Sequence, residues 1–235
     1  AIECRWAVYP GGDVGTTLDG VEEWRRRARA FTTIAGHSDA EFTIRGDGEP
    51  FTARVAMVTD GFFDVLDLPP SRGTAAAIAG ADQSVALSQE FATRHTAMSL
   101  TVGTQRFEVA AVLPPDFSFP SSEIGVWVSA RAVPAVAFFS TNDQRRFRLI
   151  ARLHQGVSLA QAQDDATRVQ GELNEGLPEG RRRAVTVRPL ADQARGDARA
   201  SILPYVAGAG LVLLIACANV SGLLVGRSAA RRREF

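Results

Sequence analysis

The sequence predicts an α+β fold in which helices pack on one face of a mixed β-sheet, followed by one helix that spans a membrane. Three observations lead to this prediction. Segments that alternate apolar and polar side chains, as half-buried strands do, are interspersed with segments that have apolar residues at helical spacing. The last third of the folded region has a strand, a helix and a strand in succession, the order of a β-α-β unit. Beyond it, no charged residue occurs from Ile202 to Val225.

The composition is that of an ordinary globular protein. The chain has 235 residues, 46% of them hydrophobic, and its 26 basic residues, all arginine, balance 26 acidic ones. We expect no nucleic-acid partner, since domains that bind nucleic acid carry an excess of positive charge and no aromatic residues are interleaved with the arginine triplets here. Cys4 lies near the start and Cys217 in the apolar run, so we expect neither a disulfide nor a metal site.

The first predicted elements are a helix, a strand and a short helix. The first helix begins at a capping-box pattern, Asp19–Glu22, and has an apolar face of Val21, Trp24, Ala28 and Phe31. A strand follows in which one face consists of Phe51, Ala53, Val55 and Met57. The short helix, Phe62–Leu66, must end at the prolines of positions 69 and 70.

A second group of elements begins after the connector Gly73–Gln83. Ser84–Leu87 is predicted to form a strand, and Ser88 to cap a short helix through Thr93. The next strand has an inner face of Phe107, Val109, Ala111 and Leu113. Val126–Val128 adds one more short strand.

The third group is the β-α-β unit. Its first strand has alternating apolar residues at Phe147, Leu149, Ala151 and Leu153. Ser158 and Gln161 form a capping box that starts the helix, and Gly176 with Pro178 ends it. One face of the helix is apolar: Leu159, Ala162, Ala166, Val169 and Leu173. Val185 and Val187 mark the second strand, which we expect to join the same sheet by a right-handed crossover.

The apolar run from Ile202 to Val225 predicts a membrane helix, because about 20 residues at ~1.5 Å each span the ~30 Å hydrocarbon core. The alternative, a buried helix of a globular protein, does not account for the arginines that follow. A stripe of small residues and one amide predicts packing on other membrane helices: Ala218, Asn219, Gly222 and Gly226. The positive-inside rule makes the arginines a cytoplasmic anchor: Arg227, Arg231, Arg232 and Arg233. Residues 1–195 would then be extracytoplasmic.

Nothing in the sequence predicts catalysis. His37, Ser38 and Asp39 are sequential neighbours, which cannot generally reach one another in the geometry of a catalytic triad. The glycine loop at residues 10–15 lacks the Lys-Ser/Thr of a phosphate-binding loop. Asp164 and Asp165 are expected on the solvated face of their helix, and His95 and His154 at the surface. We therefore expect no enzyme activity, no cofactor and no metal site.

Several stretches, taken in order, resemble one known family. "LLIACANVSGLLVGRSAARRREF", residues 213–235, is similar to the first helix of the FtsX-like permease module. Upstream, four stretches resemble the MacB-type periplasmic core domain: "DGVEEWRRRARAFTTIAG", "GDGEPFTARVAMVTDGFFDVLDLPPSRG", "FEVAAVLPPDFSFP" and residues 151–163. The segment at residues 91–101 is several residues shorter than in the family. Because the chain begins at Ala1 without a signal peptide, we expect it to be part of a longer protein.

The resemblance implies an ABC transporter permease of the inner membrane that works as a dimer, or pseudodimer, with a separate ATPase subunit. It divides the chain into a porter-like extracytoplasmic domain at 1–80 and 129–195, an inserted subdomain at 81–128, and the membrane helix with its cytoplasmic end at 196–235. The implied function is to couple ATP hydrolysis by the separate subunit to motion of the extracytoplasmic domain, for export or release of a substrate. The alternative is a membrane-anchored extracytoplasmic sensor or adhesion domain.

Overall fold

The computed structural model describes residues 15–46, 48–68, 83–95, 98–133, 146–191, 208 and 210–215, and the backbone of residues 2–6 and 72–73. Residues 1–188 form one compact unit and residues 189–235 a second. The described strands are β1 (Ile2–Trp6), β2 (Phe31–Arg45), β3 (Phe51–Val58), β4 (Arg72–Gly73), β5 (Ser84–Leu87), β6 (Ser99–Val102), β7 (Gln105–Val112), β8 (Val126–Ser129), β9 (Arg148–Leu153) and β10 (Arg183–Val187). The helices are α1 (Leu18–Arg27), α2 (Phe62–Leu66), α3 (Gln89–Arg94) and α4 (Leu159–Asn174), with a 3-10 turn at Glu179–Arg181.

Two interlocked β-α-β units form one end of the sheet, in the strand order β10-β1-β9-β2. β1 is antiparallel to β10 and to β9, and β9 is antiparallel to β2. It follows that β1 runs parallel to β2 and β9 runs parallel to β10, with α1 and α4 as the two crossover helices. This is the split β-α-β arrangement of ferredoxin-like folds. The predicted β-α-β unit is confirmed, and the structure adds that β1 lies between its two strands.

Five of the remaining strands close with β2 into a six-stranded ring, and β4 pairs with β7 beside it. β2 is long enough to pair with β9 through its first half and with β6 at its end, while β3 pairs with its other edge. From β3 the ring continues through β8, β5, β7 and β6 back to β2. The parallel pairs β3–β8 and β5–β7 make the sheet mixed, as predicted. Side chains of all six strands fill the core, among them Phe42, Ile44, Val55, Val85, Leu87, Leu100, Val102, Phe107, Val126 and Val128.

The first helix differs from its prediction at both ends. Thr17, not Asp19, is the N-cap: its Oγ1 accepts a hydrogen bond from the Gly20 N–H at 3.2 Å. The helix ends at Arg27, so Phe31 is not on its face but begins β2. Val21 and Trp24 are buried as predicted. The prediction failed because the capping-box pattern gives a helix start only to within a few residues when several capping side chains are adjacent.

Helix α4 begins as predicted, with the capping box of Ser158 and Gln161. Its buried side chains include Ala162, Ala166 and Val169, so that face is confirmed. Leu159 is 44% exposed, which contradicts its predicted place on the buried face. The reason is that the whole first turn, from Ser158 to Gln161, is exposed, and helical spacing alone does not show where a helix leaves the surface it covers.

In the second unit, residues 210–215 are helical. Their apolar side chains are exposed: Leu211, Val212, Leu213, Leu214 and Ile215. Among the residues that the structure describes, no helix has both the length and the hydropathy needed to cross a bilayer. Most of Ile202–Val225 lies outside those residues, so the membrane helix stays a prediction.

Candidate functional site

The guanidinium of Arg25 joins α1 to the sheet and to the turn after β3. Its Nε donates to the carbonyl of Ile34 at 2.7 Å, and its Nη2 donates to Thr59 Oγ1 at 2.9 Å and to the carbonyl of Asp60 at 2.5 Å. Its Nη1 donates to Glu22 at 2.8 Å. Because guanidinium donors diverge in a rigid fork, one side chain here fixes the position of α1 against β2 and the β3–α2 turn.

Arg131, just after β8, extends this network. Its Nη2 lies 2.9 Å from Glu22 Oε1 and 3.5 Å from Asp60 Oδ2. The network therefore lies where the chain leaves β3 and where it returns after β8, at the junction of the split β-α-β units and the ring. We call the contacts of Arg25, Glu22, Thr59, Asp60 and Arg131 the junction network.

Asp165 of α4 holds the segment between α1 and β2. Its Oδ2 accepts hydrogen bonds from the N–H groups of Arg29 at 2.6 Å and Ala30 at 2.8 Å, and its Oδ1 accepts one from Arg168 at 2.5 Å. Arg168 also donates to the carbonyl of Arg27 at 2.8 Å. Burial opposes ionisation of Asp165, but these hydrogen bonds outweigh it and lower the pKa of the carboxyl. The prediction of a solvated carboxylate is wrong for Asp165.

Two amide side chains bond α4 to the edge strand β10. Gln163 Nε2 donates to the carbonyl of Val185 at 3.1 Å, and Gln163 Oε1 accepts from the Val187 N–H at 2.8 Å. Asn174 Nδ2 donates to the carbonyl of Arg183 at 2.8 Å, and Asn174 Oδ1 accepts from the Arg183 N–H at 2.9 Å. These amides take the place of a further strand, since an edge strand otherwise leaves its outward backbone groups unpaired.

His37 lies in β2, enclosed by aromatic rings. The side chain is 1% exposed, and its ring centroid is 6.0 Å from that of Phe62 and 5.2 Å from that of Phe119. Neither ring nitrogen has a hydrogen-bond partner in the described part of the chain. Burial, together with the charge of Arg148, lowers the pKa of His37 to about 4, so the imidazole is neutral at pH 7.

The other residues considered for catalysis are separated. Ser38 points to the opposite face of β2 from His37 and Asp39, because side chains alternate along a strand. Asp164 and His154 are exposed. His95 is not simply a surface residue, since its ring stacks on Phe51 at a centroid distance of 4.6 Å. Within the described ranges, no group of three or more His, Cys, Asp or Glu residues could hold a metal ion.

The residues predicted to act in the membrane lie outside the described residues. They are the helix-packing stripe, Ala218, Asn219, Gly222 and Gly226, and the cytoplasmic anchor, Arg227, Arg231, Arg232 and Arg233. Both sets stay predictions. The junction network and the contacts of Asp165, Gln163 and Asn174 were not predicted, because they join different helices and strands whose relative placement the sequence does not give.

The chain is similar to periplasmic domains of transport proteins. The sequence model of the MacB-like periplasmic core domain matches residues 5–169. The periplasmic region of MacB from Actinobacillus actinomycetemcomitans has a TM-score of 0.58 and 11% identity, over 84% of this chain and 91% of that one. The extracellular domain of the ABC-type transporter YknZ from Gram-positive bacteria has a TM-score of 0.55 and 16% identity, over 80% of this chain and 99% of that one. No curated protein matches the chain.

At sequence identities this low, the solved structures show only that the fold is shared. Membership of the family rests on the match to the family's sequence model. The matched residues make up well over half of the chain and run from the end of β1 into α4. The resemblance to the MacB-type domain is confirmed, and the resemblance to the FtsX-like helix stays a prediction. The chain belongs to the MacB-like periplasmic core domain family, whose members are extracytoplasmic domains of ABC-type transporter permeases.

Proposed function

We propose that this chain is part of an ABC transporter permease subunit in which ATP hydrolysis by a separate subunit drives motion of the extracytoplasmic domain, for export or release of a substrate. One observation carries the proposal. β1 and β10 are antiparallel neighbours, with Ile2 opposite Val187. The chain thus enters and leaves residues 1–188 at one place, an arrangement that suits a domain inserted between two consecutive membrane helices.

A continuous set of contacts leads from these two strands to the ring. β10 is bonded to α4 by Gln163 and Asn174, and α4 is bonded to the end of α1 by Asp165. From α1, the junction network reaches the β3–α2 turn and Arg131, two residues after β8. Packed and hydrogen-bonded elements move together as rigid bodies, so a displacement at β1 and β10 would also displace the ring.

The domain boundaries implied by the resemblance are part of the same proposal. The porter-like part comprises residues 1–80 and 129–195 and moves with the membrane helices, while the inserted subdomain, residues 81–128, moves at its far end. The stripe at Ala218, Asn219, Gly222 and Gly226 packs the helix of residues 196–235 against others in the lipid membrane. The anchor at Arg227 and Arg231–Arg233 keeps the helix end in the cytoplasm, beside the ATPase, and the permease is a dimer.

The experiment that tests this proposal determines topology and partnership in the full-length protein. In a background without cysteines, single cysteines at Asp143 and Ser228 are exposed to a membrane-impermeant maleimide in intact spheroplasts. We expect labelling at position 143 and none at 228 until the membrane is permeabilised, because the first lies in the extracytoplasmic part. Labelling at 228 alone would contradict the orientation.

The same protein is then purified together with any ABC ATPase that a neighbouring gene encodes. We expect a stable complex that hydrolyses ATP, and a Walker A lysine variant of the ATPase that still binds the permease but does not hydrolyse. Failure of the two proteins to associate, with a signalling module following Phe235 in the full-length gene, would favour the sensor or adhesion alternative.

A further inference from the structure

A groove of about 500 Å³ opens beside the first half of β3. Phe51–Arg54 form one wall, α3 with His95 forms the second, and residues 122–125 form the third. The inner end of the groove is aromatic, because the ring of His95 lies 4.6 Å from that of Phe51 and 4.6 Å from that of Phe91. We call this the β3 groove.

The β3 groove exists because β3 and β8 pair over only half the length of β3. β8 runs parallel to Val55–Val58 and begins opposite Val55. Just before β8, the carbonyl of Gly125 accepts a hydrogen bond from the N–H of Ser88 at the start of α3, at 2.9 Å. The chain therefore leads away from β3 at this point. Phe51–Arg54 pair with β2 on one side and have no strand partner on the other among the described residues.

The backbone groups of Thr52 and Arg54 point into the groove. Along a strand, the N–H and C=O of one residue point to the same side, and the side alternates from residue to residue. The carbonyl of Val58 accepts from the N–H of Ala130, on the side of β8. The even-numbered residues of β3 therefore face that side, so Thr52 and Arg54 present two donors and two acceptors to the groove. This is the edge that an added strand would pair with.

Acidic side chains outnumber basic ones on the outward face of this edge. Arg54 lies 2.7 Å from Asp39 and 3.2 Å from Glu123, and Glu41 is its cross-strand neighbour in β2. Two carboxylates therefore contact the Arg54 guanidinium, and a third, that of Glu41, belongs to its neighbour on β2. On the opposite wall of the groove, Glu90 and Arg94 pair with each other. The Glu123 side chain is 69% exposed and Glu41 is also exposed, so both can accept a further cation.

We propose that the β3 groove binds an extended segment of a partner protein that has arginine or lysine at alternate positions, and that this segment adds as a strand to the edge of β3. The backbone of Thr52 and Arg54 supplies the pairing. Outward-facing basic side chains meet Glu41 and Glu123, and an inward-facing apolar side chain meets the aromatic cluster. The open edge is short, so about four residues of the partner pair with it. This docking site does not depend on the coupling to ATP hydrolysis proposed above.

The test uses the full chain in detergent micelles and a fluorescein-labelled peptide of four Arg-Val repeats, with binding measured by fluorescence anisotropy. Two comparison peptides are four Glu-Val repeats and the Arg-Val peptide N-methylated at every residue. The methylated peptide retains its charge but cannot donate backbone hydrogen bonds, so we expect about tenfold weaker binding from it. We expect no binding of the acidic peptide. Equal binding of the methylated and unmethylated peptides would overturn strand addition.

Variants of the chain test the site itself. The double variant Glu41→Gln and Glu123→Gln should weaken binding of the Arg-Val peptide about fivefold, the loss expected from two exposed ion pairs. The matched control Glu108→Gln changes an exposed carboxylate on β7, outside the groove, and should leave the affinity unchanged. Equal losses in the double variant and the control would overturn the assignment.

A backbone variant adds an independent test. Thr52→Pro removes one N–H that faces the groove and should also weaken binding about fivefold. Circular dichroism shows whether Thr52→Pro folds. If it does not fold, the charge variants alone decide whether the β3 groove is the binding site. Self-association of the chain that the double variant abolishes, seen by analytical ultracentrifugation, would assign the groove to a second copy and overturn the proposal.

Discussion

Replacing His37 with leucine should remove an acid sensitivity that the fold otherwise has. The imidazole is neutral in the folded state, because its pKa is lowered from 6.5 to about 4. The unfolded chain takes up a proton near the ordinary pKa, so stability is fully present above about pH 6.5 and is lost as the pH falls towards 4. At 1.36 kcal/mol for each pKa unit, the loss over this interval is about 3 kcal/mol.

The measurement is urea unfolding of the full chain, followed by fluorescence of the buried Trp24 and Trp127, at several values between pH 7 and pH 4. Other groups contribute to the acid dependence, so the quantity of interest is the difference between variant and parent. His37→Leu should retain about 3 kcal/mol more of its stability than the parent when the pH falls from 7 to 4. His154→Leu replaces an exposed histidine in the same way and serves as the control.

At pH 7 the leucine should be close to neutral or stabilising, because it replaces two buried nitrogen atoms that have no hydrogen-bond partner in the described residues. A His37→Leu variant with the same pH dependence as the parent would refute the reasoning. So would a loss of several kcal/mol at pH 7, since it would show that the imidazole makes stabilising contacts.

Two further variants test the junction and the membrane helix. Arg25→Met should lower the free energy of unfolding by about 2–3 kcal/mol, because it leaves the acceptors of the junction network unpaired. The control is Arg26→Met: the Arg26 side chain is 65% exposed, so its loss should lower the free energy of unfolding by less than about 0.5 kcal/mol. Equal losses in urea unfolding would contradict the role given to Arg25. Gly222→Leu should disrupt assembly of the full-length protein, and Leu213→Ile should leave it intact, because close helix packing in lipid depends on small residues. Equal assembly of the two on size-exclusion chromatography would contradict the packing stripe.

Elements with a local signal could be predicted to within a few residues. α4 has a capping box at Ser158 and a stop at Gly176, and β3 has apolar alternation through its first half. β2 was missed because it is covered on both faces where it crosses the sheet: four consecutive residues, Ile34–His37, are buried, so the alternation is lost. β6 was also missed, although Gly103, at a φ of +62° in the turn that leads to β7, is a signal that could have indicated a hairpin.

The contacts that join the elements could not be predicted in the same way. Arg25 was seen only as one of three consecutive arginines, and its acceptors at Ile34, Thr59 and Asp60 are brought to it by the pairing of β2 with β3. The contacts of Asp165 could not be predicted for the same reason, since its carboxylate accepts hydrogen bonds from N–H groups more than 130 residues earlier in the chain. Sequence periodicity gives the buried face of a helix but not the partner of a side chain at the margin of that face.

The measurement that tests the central claim most directly is the distance between extracytoplasmic domains in different nucleotide states. A spin label is attached at Glu175→Cys, an exposed position after α4, in full-length permease without its native Cys4 and Cys217. The complex with its ATPase is studied by double electron–electron resonance without nucleotide and with ATP and vanadate. If hydrolysis drives motion of the domain, the distance between labels on the two permease copies shifts, and a Walker A lysine variant abolishes the shift. Identical distance distributions in a complex that hydrolyses ATP would contradict the account.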